Sequence, residues 1–303
     1  MLRIFDNMNR HFLDSSVVQP MLLGTKAYQN YLAEQFVDGK IYISKYVQME
    51  VKRSCIVPMI DFYFVLDMPS IQSIGDAMSM WSNKFSGREI KAVLRLMAKI
   101  IDTHNLRVSE SRDKPIALRR LGSVIKRIEA ELRRKFLDIG VNTTRCTRAQ
   151  ISFVDTEGGL QSLADQLRDF ITRFGDVDAC RNQCRIDDFL LDRFQQQVKQ
   201  AISQAESLSN RKSSQNKGFV EISNNLNKIV EQGERACSCR MCGSIGDAVI
   251  TFETPRNMRL DHTDYAFDQL CTIVNQPHYR HLSESEIHKR ANQPSSSSSK
   301  ENV

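Results

Sequence analysis

Hydrophobic and polar positions alternate between two regimes along this chain. At the start, His11-Phe12-Leu13-Asp14-Ser15-Ser16 reads as a short buried strand that ends in a carboxylate. From Val17 to Phe36 apolar residues recur at helical spacing, with Leu22, Leu23, Ala27 and Tyr31 among them. Asp38-Gly39 marks a turn, Ile41-Tyr42-Ile43 a second strand, and Ser44 an N-cap for a helix through Val47, Val51 and Cys55. This β-α-β-α order predicts a parallel sheet with helices on its faces, whose ligands collect at the carboxyl ends of the strands. Asp14 stands at such an end.

Between residues 56 and 235 the spacing predicts helices only. Pro69 is read as starting one, Ser86 with Glu89 as capping a second, and Pro115 as opening a third. In the third, Leu118, Leu121, Ile125, Ile128 and Leu132 form a coiled-coil-like seam, most simply explained by helix packing. Residues 205–217 read as a polar loop, and the run from Pro294 to Val303 as a disordered serine-rich tail. Alternation returns near the end. Gly246-Asp247-Ala248-Val249-Ile250 places a carboxylate ahead of an apolar run, Met258 to His262 is a strand candidate ending at Thr263-Asp264, and Tyr265 to Leu270 turns onto a helix.

Composition narrows this picture. The chain has 303 residues, 41% hydrophobic and 26% charged, which is globular and excludes a disulfide-stapled peptide, a collagen-like rod and wholesale disorder. The longest apolar stretch, Cys55 to Met68, is broken by Pro58, Asp61 and Asp67, so no membrane span is expected. The first residues lack the apolar core of an export signal, and the expected compartment is the cytoplasm. Its eight cysteines would then be reduced. Cys180 and Cys184 form CxxxC, and Cys239 and Cys242 form CxxC, with 54 residues between the pairs. Two such pairs can supply the four thiolates of a structural Zn²⁺ site. Reduced bystander cysteines are the simpler reading, and His278 with His281 is a weaker alternative ligand pair.

The net charge of +6 is unevenly spread. Residues 86–140 hold 14 Lys or Arg against 7 Asp or Glu, so this quarter of the chain supplies all of the net positive charge. The apolar seam forces Arg119, Arg120, Lys126, Arg127, Arg133 and Arg134 outward. Such a face is either simply solvated or a stripe that tracks nucleic-acid phosphates.

Four carboxylates, Asp14, Glu50, Asp247 and Asp264, fall at or near the ends of predicted core elements. Taken singly, each is most simply a surface charge or a helix cap. Gathered in one pocket they would repel, and a divalent cation is the usual reason for a fold to keep such a group. The pieces FLDSS, ISKYVQMEVKR, GDAVI and HTDYAFDQL resemble, in order and context, the PIN-domain nucleases; Glu50 follows Asp14 by 36 residues and Asp264 follows Asp247 by 17.

The resemblance implies a PIN-like αβ core from residues 1–60 and 243–290, interrupted by an all-helical insertion over 61–242, with 291–303 as the tail. Two features depart from the family pattern: 196 residues separate the second and third acids, and His262 stands where the family tends to place Ser or Thr. What the resemblance implies chemically is an endoribonuclease that uses Mg²⁺ or Mn²⁺. Asp14 and Asp247 would be main ligands, Glu50 a ligand or water-orienting base, Asp264 a ligand or outer acid, and Ser15 or Thr263 would fix a water or a carboxylate rotamer. RNA would be the partner, and an inhibitory protein would fit a role as toxin or defence effector. The alternative is a non-catalytic helical RNA-binding or protein-interaction module in which the acids cap helices and the cysteines bind zinc.

Overall fold

The computed structural model describes residues 10–83, 87–139, 146–153, 162–176, 186–209, 217–233 and 239–291. Strand β1 (Arg10–Leu13) begins the core, with Phe12 and Leu13 fully buried. Asp14 then caps helix α1 (Ser15–Leu23), its carboxylate accepting the Ser16 amide at 2.9 Å. The predicted single helix over 17–36 is two, because Gly24 closes α1 and the Thr25 hydroxyl caps α2 (Lys26–Gln35). Strand β2 (Lys40–Ile43) and the Ser44 cap of α3 (Lys45–Val51) follow the sequence expectation.

Beyond Val51 the helix widens into a π turn over Lys52–Ile56 before α4 (Val57–Asp67). Lys52 on this turn is fully buried. Its ammonium donates to the carbonyls of Ala149 and Ile151 at 2.7 Å each and lies 3.5 Å from the carboxylate of buried Glu129. Burial pulls its pKa down to about 8, with Glu129 opposing the fall. The buried cation thereby fastens α3 to two later parts of the chain.

Pro69 lies in a turn and starts no helix. Helix α5 (Ile74–Ser82) begins five residues later with a reciprocal capping box between Ser73 and Asp76. Helix α6 (Gly87–His104) is present, whereas the proposed Ser86 cap lies outside the described residues. Helix α7 (Lys114–Lys135) carries proline in its first turn, as expected, and buries Leu121, Ile125, Ile128 and Leu132, with Leu118 half-buried.

The stretch after α7 corrects the expectation of an all-helical insertion. Leu137–Asp138 forms β3, paired in parallel with Tyr42 and Ile43 of β2, so the middle of the chain contributes a strand to the sheet. Helices α8 (Thr147–Gln150), α9 (Leu163–Gly175), α10 (Ile186–Arg193), α11 (Gln195–Ser209) and α12 (Lys217–Gln232) follow. The expected polar loop is therefore helical at least to Ser209, and residues 210–216 lie outside the described residues.

Short α13 (Cys239–Ser244) and α14 (Gly246–Glu253) lead to β4 (Arg259–His262), then α15 (Tyr265–Val274), β5 (His278–Arg280) and α16 (Glu284–Ala291). Strand β5 has no counterpart in the sequence reading. Residues 292–303, most of the proposed tail, lie outside the described residues. No described helix is long and apolar enough to cross a membrane.

All five strands are parallel, in the order β3-β2-β1-β4-β5. The chain winds outward from β1 through β2 to β3, then returns to place β4 and β5 on the other side of β1. The direction of winding reverses between β1 and β4, and in open parallel sheets ligands bind in the crevice at the carboxyl ends of the strands there. Among the described residues one hydrophobic cluster runs from Phe12 through the middle helices to Cys271.

Beneath that crevice the sheet is tied by a buried polar cluster. Asp261 on β4 is fully buried and accepts from Arg259 at 2.8 Å, with His281 Nε2 2.8 Å and His11 Nδ1 3.0 Å away. Burial raises the pKa of this carboxyl, but the hydrogen bonds from both histidines and the arginine outweigh it and hold the pKa at about 2.

Candidate functional site

The crevice at the winding reversal is lined from both sides. Asp14 follows β1 and is 2% exposed. Its amide donates to Asp261 O on β4 at 3.0 Å, and the Ser16 hydroxyl accepts the Thr263 amide at 3.1 Å, so the two strand ends are held together. Asp264, next along, caps α15 by accepting the Ala266 amide at 3.0 Å and is exposed to solvent.

Glu50 reaches the same place from the last turn of α3. Loss of hydration raises its pKa most, the charge of Asp14 raises it further, and it ends at about 8. Asp14 is itself raised by burial, with the hydrogen bonds from Ser16 and Ser15 opposing. Ser15 joins the two acids: its hydroxyl donates to Asp14 Oδ1 at 3.3 Å and also hydrogen-bonds Glu50. Gln19 on α1 donates to Ser54 Oγ at 2.6 Å, and Ser54 donates to the Glu50 carbonyl at 2.6 Å, which fixes α1 against the Glu50 turn.

The third wall is α14, which packs on α3. Gly246 at its first residue lies so close that a methyl group there would overlap Glu50 Oε1. Half-buried Asp247 is the next residue and lies in the first turn, two positions past the N-cap, Ile245. The structure thus brings Asp14 and Glu50 into direct electrostatic contact and puts Asp247 one residue beyond Gly246, which meets Glu50; among the described residues Asp14, Glu50 and Asp247 do not bring three ligand atoms within 4.8 Å of one another, and Asp264 is exposed.

Sequence reasoning missed three more groups here. Buried Glu253, at the far end of α14, adds a further upward push on Glu50, and Arg53 opposes it. Arg53 also lies against Gly243, where an added methyl group would collide with its guanidinium. Buried Tyr46 donates its hydroxyl to the Cys242 carbonyl and packs on Gly246. Tyr46, Glu50 and Arg53 are spaced i, i+4 and i+7 on one helical run, a shared face that the spacing alone could have revealed.

The cysteine reading receives little information. Cys180, Cys184 and Cys237 lie outside the described residues, as does the side chain of Cys239, while the Cys242 sulfur lies 3.5 Å from the Tyr46 hydroxyl. The alternative pairing of His278 with His281 is corrected. His281 belongs to the Asp261 cluster, whereas His278 faces His262 and Asp268.

The basic face of α7 is also uneven. Arg119, Arg120, Arg127, Arg133 and Arg134 are exposed and Lys126 is half-buried, donating to Gln166 at 2.9 Å. Arg133 is held 2.9 Å from buried Glu129, so it serves the interior. Helix α7 runs antiparallel to the α3–α4 run: Lys114 donates to the Met68 and Ile71 carbonyls and Gly122 meets Tyr63, whereas Glu129 meets Lys52, so Arg133 and Arg134 lie toward the Glu50 end and Arg119 and Arg120 toward the far end.

A pocket of about 270 Å³ is lined by Phe194, Glu253, Arg256 and Gln276 among others; it adjoins the chain entering β4 and so lies away from the strand ends that carry Asp14 and Asp264. No protein-family model matches the chain, and no significant match was found among curated proteins or solved structures.

Proposed function

We propose that this chain is a PIN-like, divalent-metal-dependent phosphodiesterase that cleaves RNA. The observation that carries the reading is the meeting of buried Asp14 with half-buried Glu50 at the winding reversal of a parallel sheet, where loss of hydration and then the charge of Asp14 raise the pKa of Glu50. A fold gains nothing from desolvating two repelling carboxylates unless a cation relieves them.

The donors fit a hard cation. They are carboxylates, with the Ser15 hydroxyl adjacent, and oxygen donors suit Mg²⁺ or Mn²⁺. Asp14, Glu50 and Asp247 would hold the ion, with Asp264 at the open side. When bound there, such an ion generates a nucleophilic hydroxide at neutral pH and offsets charge on the scissile phosphate. Ser15 orients both carboxylates through its hydroxyl. Gly246 keeps the space beside Glu50 open, and Arg53 offers the crevice a positive charge for a phosphate. The exposed arginines of α7, from Arg134 toward the Glu50 end to Arg119 and Arg120 farther along, would extend that attraction outward for a polyanion that the acids alone would repel.

The test is cleavage of a mixed set of single-stranded and hairpin RNAs with Mg²⁺ or Mn²⁺. Cleavage that stops with chelator and in Asp14→Asn and Glu50→Gln is the expected result. Cleavage that persists in both variants would place the activity elsewhere, and its absence under every metal condition would remove the enzymatic reading.

A further inference from the structure

Outside the acidic crevice, one cluster has unspent ligand capacity. His262 at the end of β4 is fully buried, and neither ring nitrogen has a hydrogen-bond partner among the described residues. Its ring lies between Phe267, 5.0 Å away, and His278 of β5, 5.6 Å away, both stacked on it. Asp268 on α15 faces both imidazoles. Its Oδ1 is 3.6 Å from His262 Nε2 and 3.5 Å from His278 Nε2, too far for hydrogen bonds. One atom from each of the three residues lies within 4.8 Å of the others.

We propose that His262, Asp268 and His278 form a zinc site that pins β4, α15 and β5 together. Two imidazoles and one carboxylate, three protein ligands with room for a water, are a common zinc donor set. The surrounding bonds prepare the ligands. His278 Nδ1 is 3.2 Å from the Gln276 carbonyl, which places its proton there and leaves Nε2 with the free lone pair. Arg280 donates to Asp268 Oδ2 at 2.6 Å, so Oδ1 is the oxygen that remains for a metal. Arg280, also stacked 3.7 Å above Tyr265, opposes a second cation, and the Asp268 carboxylate is the compensating charge. The site is independent of the acidic crevice, whose donors are all oxygen.

The experiment uses the full chain, stripped with chelator and titrated with Zn²⁺, and with Co²⁺ as a spectroscopic probe. The expected result is about one equivalent of zinc at this site, tetrahedral Co²⁺ absorption without thiolate charge transfer, and affinity lowered by more than about tenfold in both His278→Ala and Asp268→Asn. Both changes are at partly exposed positions, and thermal melting of the metal-free proteins checks that they fold. Asp14→Asn should leave zinc binding unchanged. Three results would overturn the assignment: no zinc bound by the wild type, zinc retained unaltered in His278→Ala, or a thiolate-to-cobalt band lost in Cys242→Ser as the sole signal.

Discussion

Replacing Asp14 by Asn separates the proposed role of this residue from its structural one. Asn caps a helix as well as Asp does and has nearly the same shape, so the bond from the Ser16 amide to the cap is kept. What disappears is the charge facing Glu50. The Glu50 pKa is raised from 4.5 to about 8, so its folded form holds a proton that the unfolded chain releases. Stability from this group is complete below pH 4.5 and lost as pH rises through about 8, by at most about 5 kcal/mol at 1.36 kcal/mol per pKa unit. Loss of hydration is the first cause and Asp14 the second, which leaves about 1–2 kcal/mol to the pair repulsion.

Urea unfolding in chelator at pH 8 should therefore find Asp14→Asn more stable than the wild type by about that 1–2 kcal/mol, with the gap closing at pH 5 where Glu50 is protonated in both. Adding Mg²⁺ or Mn²⁺ should reverse the order, because only the wild type gains binding energy. A variant less stable than the wild type in chelator at pH 8 would refute the reasoning, since Asp14 would then be held by favourable contacts and no cation would be needed.

Four other outcomes follow from the structure. Gly246→Ala puts a methyl group onto Glu50 Oε1 and should cost about 1–3 kcal/mol while abolishing metal-induced stabilisation; an unchanged metal response would mean that Glu50 is not a ligand. Asp261, held at about 2 against an ordinary 3.8, contributes stability present above pH 3.8 and lost as pH falls through 2, about 2 kcal/mol in all; acid unfolding of the wild type should steepen across that window and that of Asp261→Asn should not. Arg119→Gln with Arg120→Gln should weaken RNA binding evenly across sequences and flatten its salt dependence by up to about 0.7 per contact, without loss of stability. Arg133→Gln should instead lower the melting temperature, because it removes one of the two cations, Arg133 and Lys52, that face the buried Glu129 carboxylate.

Features set by neighbouring residues were readable in advance. The carboxylate after β1, the Ser44 cap, the β4 strand and the α7 seam all depend on spacing within a few residues. Strands β3 and β5, of two and three residues, are too short to show alternation and exist because β2 and β4 offer them a paired edge. Pro69 misled where Ser73 and Asp76 held the correct start, a capping box visible in the sequence but overshadowed by proline. At the site, Asp14 and Glu50 stood out through their element ends. Glu253 and Gly246 could not, since their meeting with Glu50 depends on how α14 packs across α3.

The most direct test of the acidic crevice is an anomalous difference map from crystals grown with Mn²⁺. One peak, or two about 4 Å apart, bonded at metal–oxygen distances of about 2.0–2.6 Å to carboxylates of Asp14, Glu50 and Asp247 is the result expected here. Manganese found only at other surfaces, with Asp14 and Glu50 sharing a proton and no metal between them, would contradict the account.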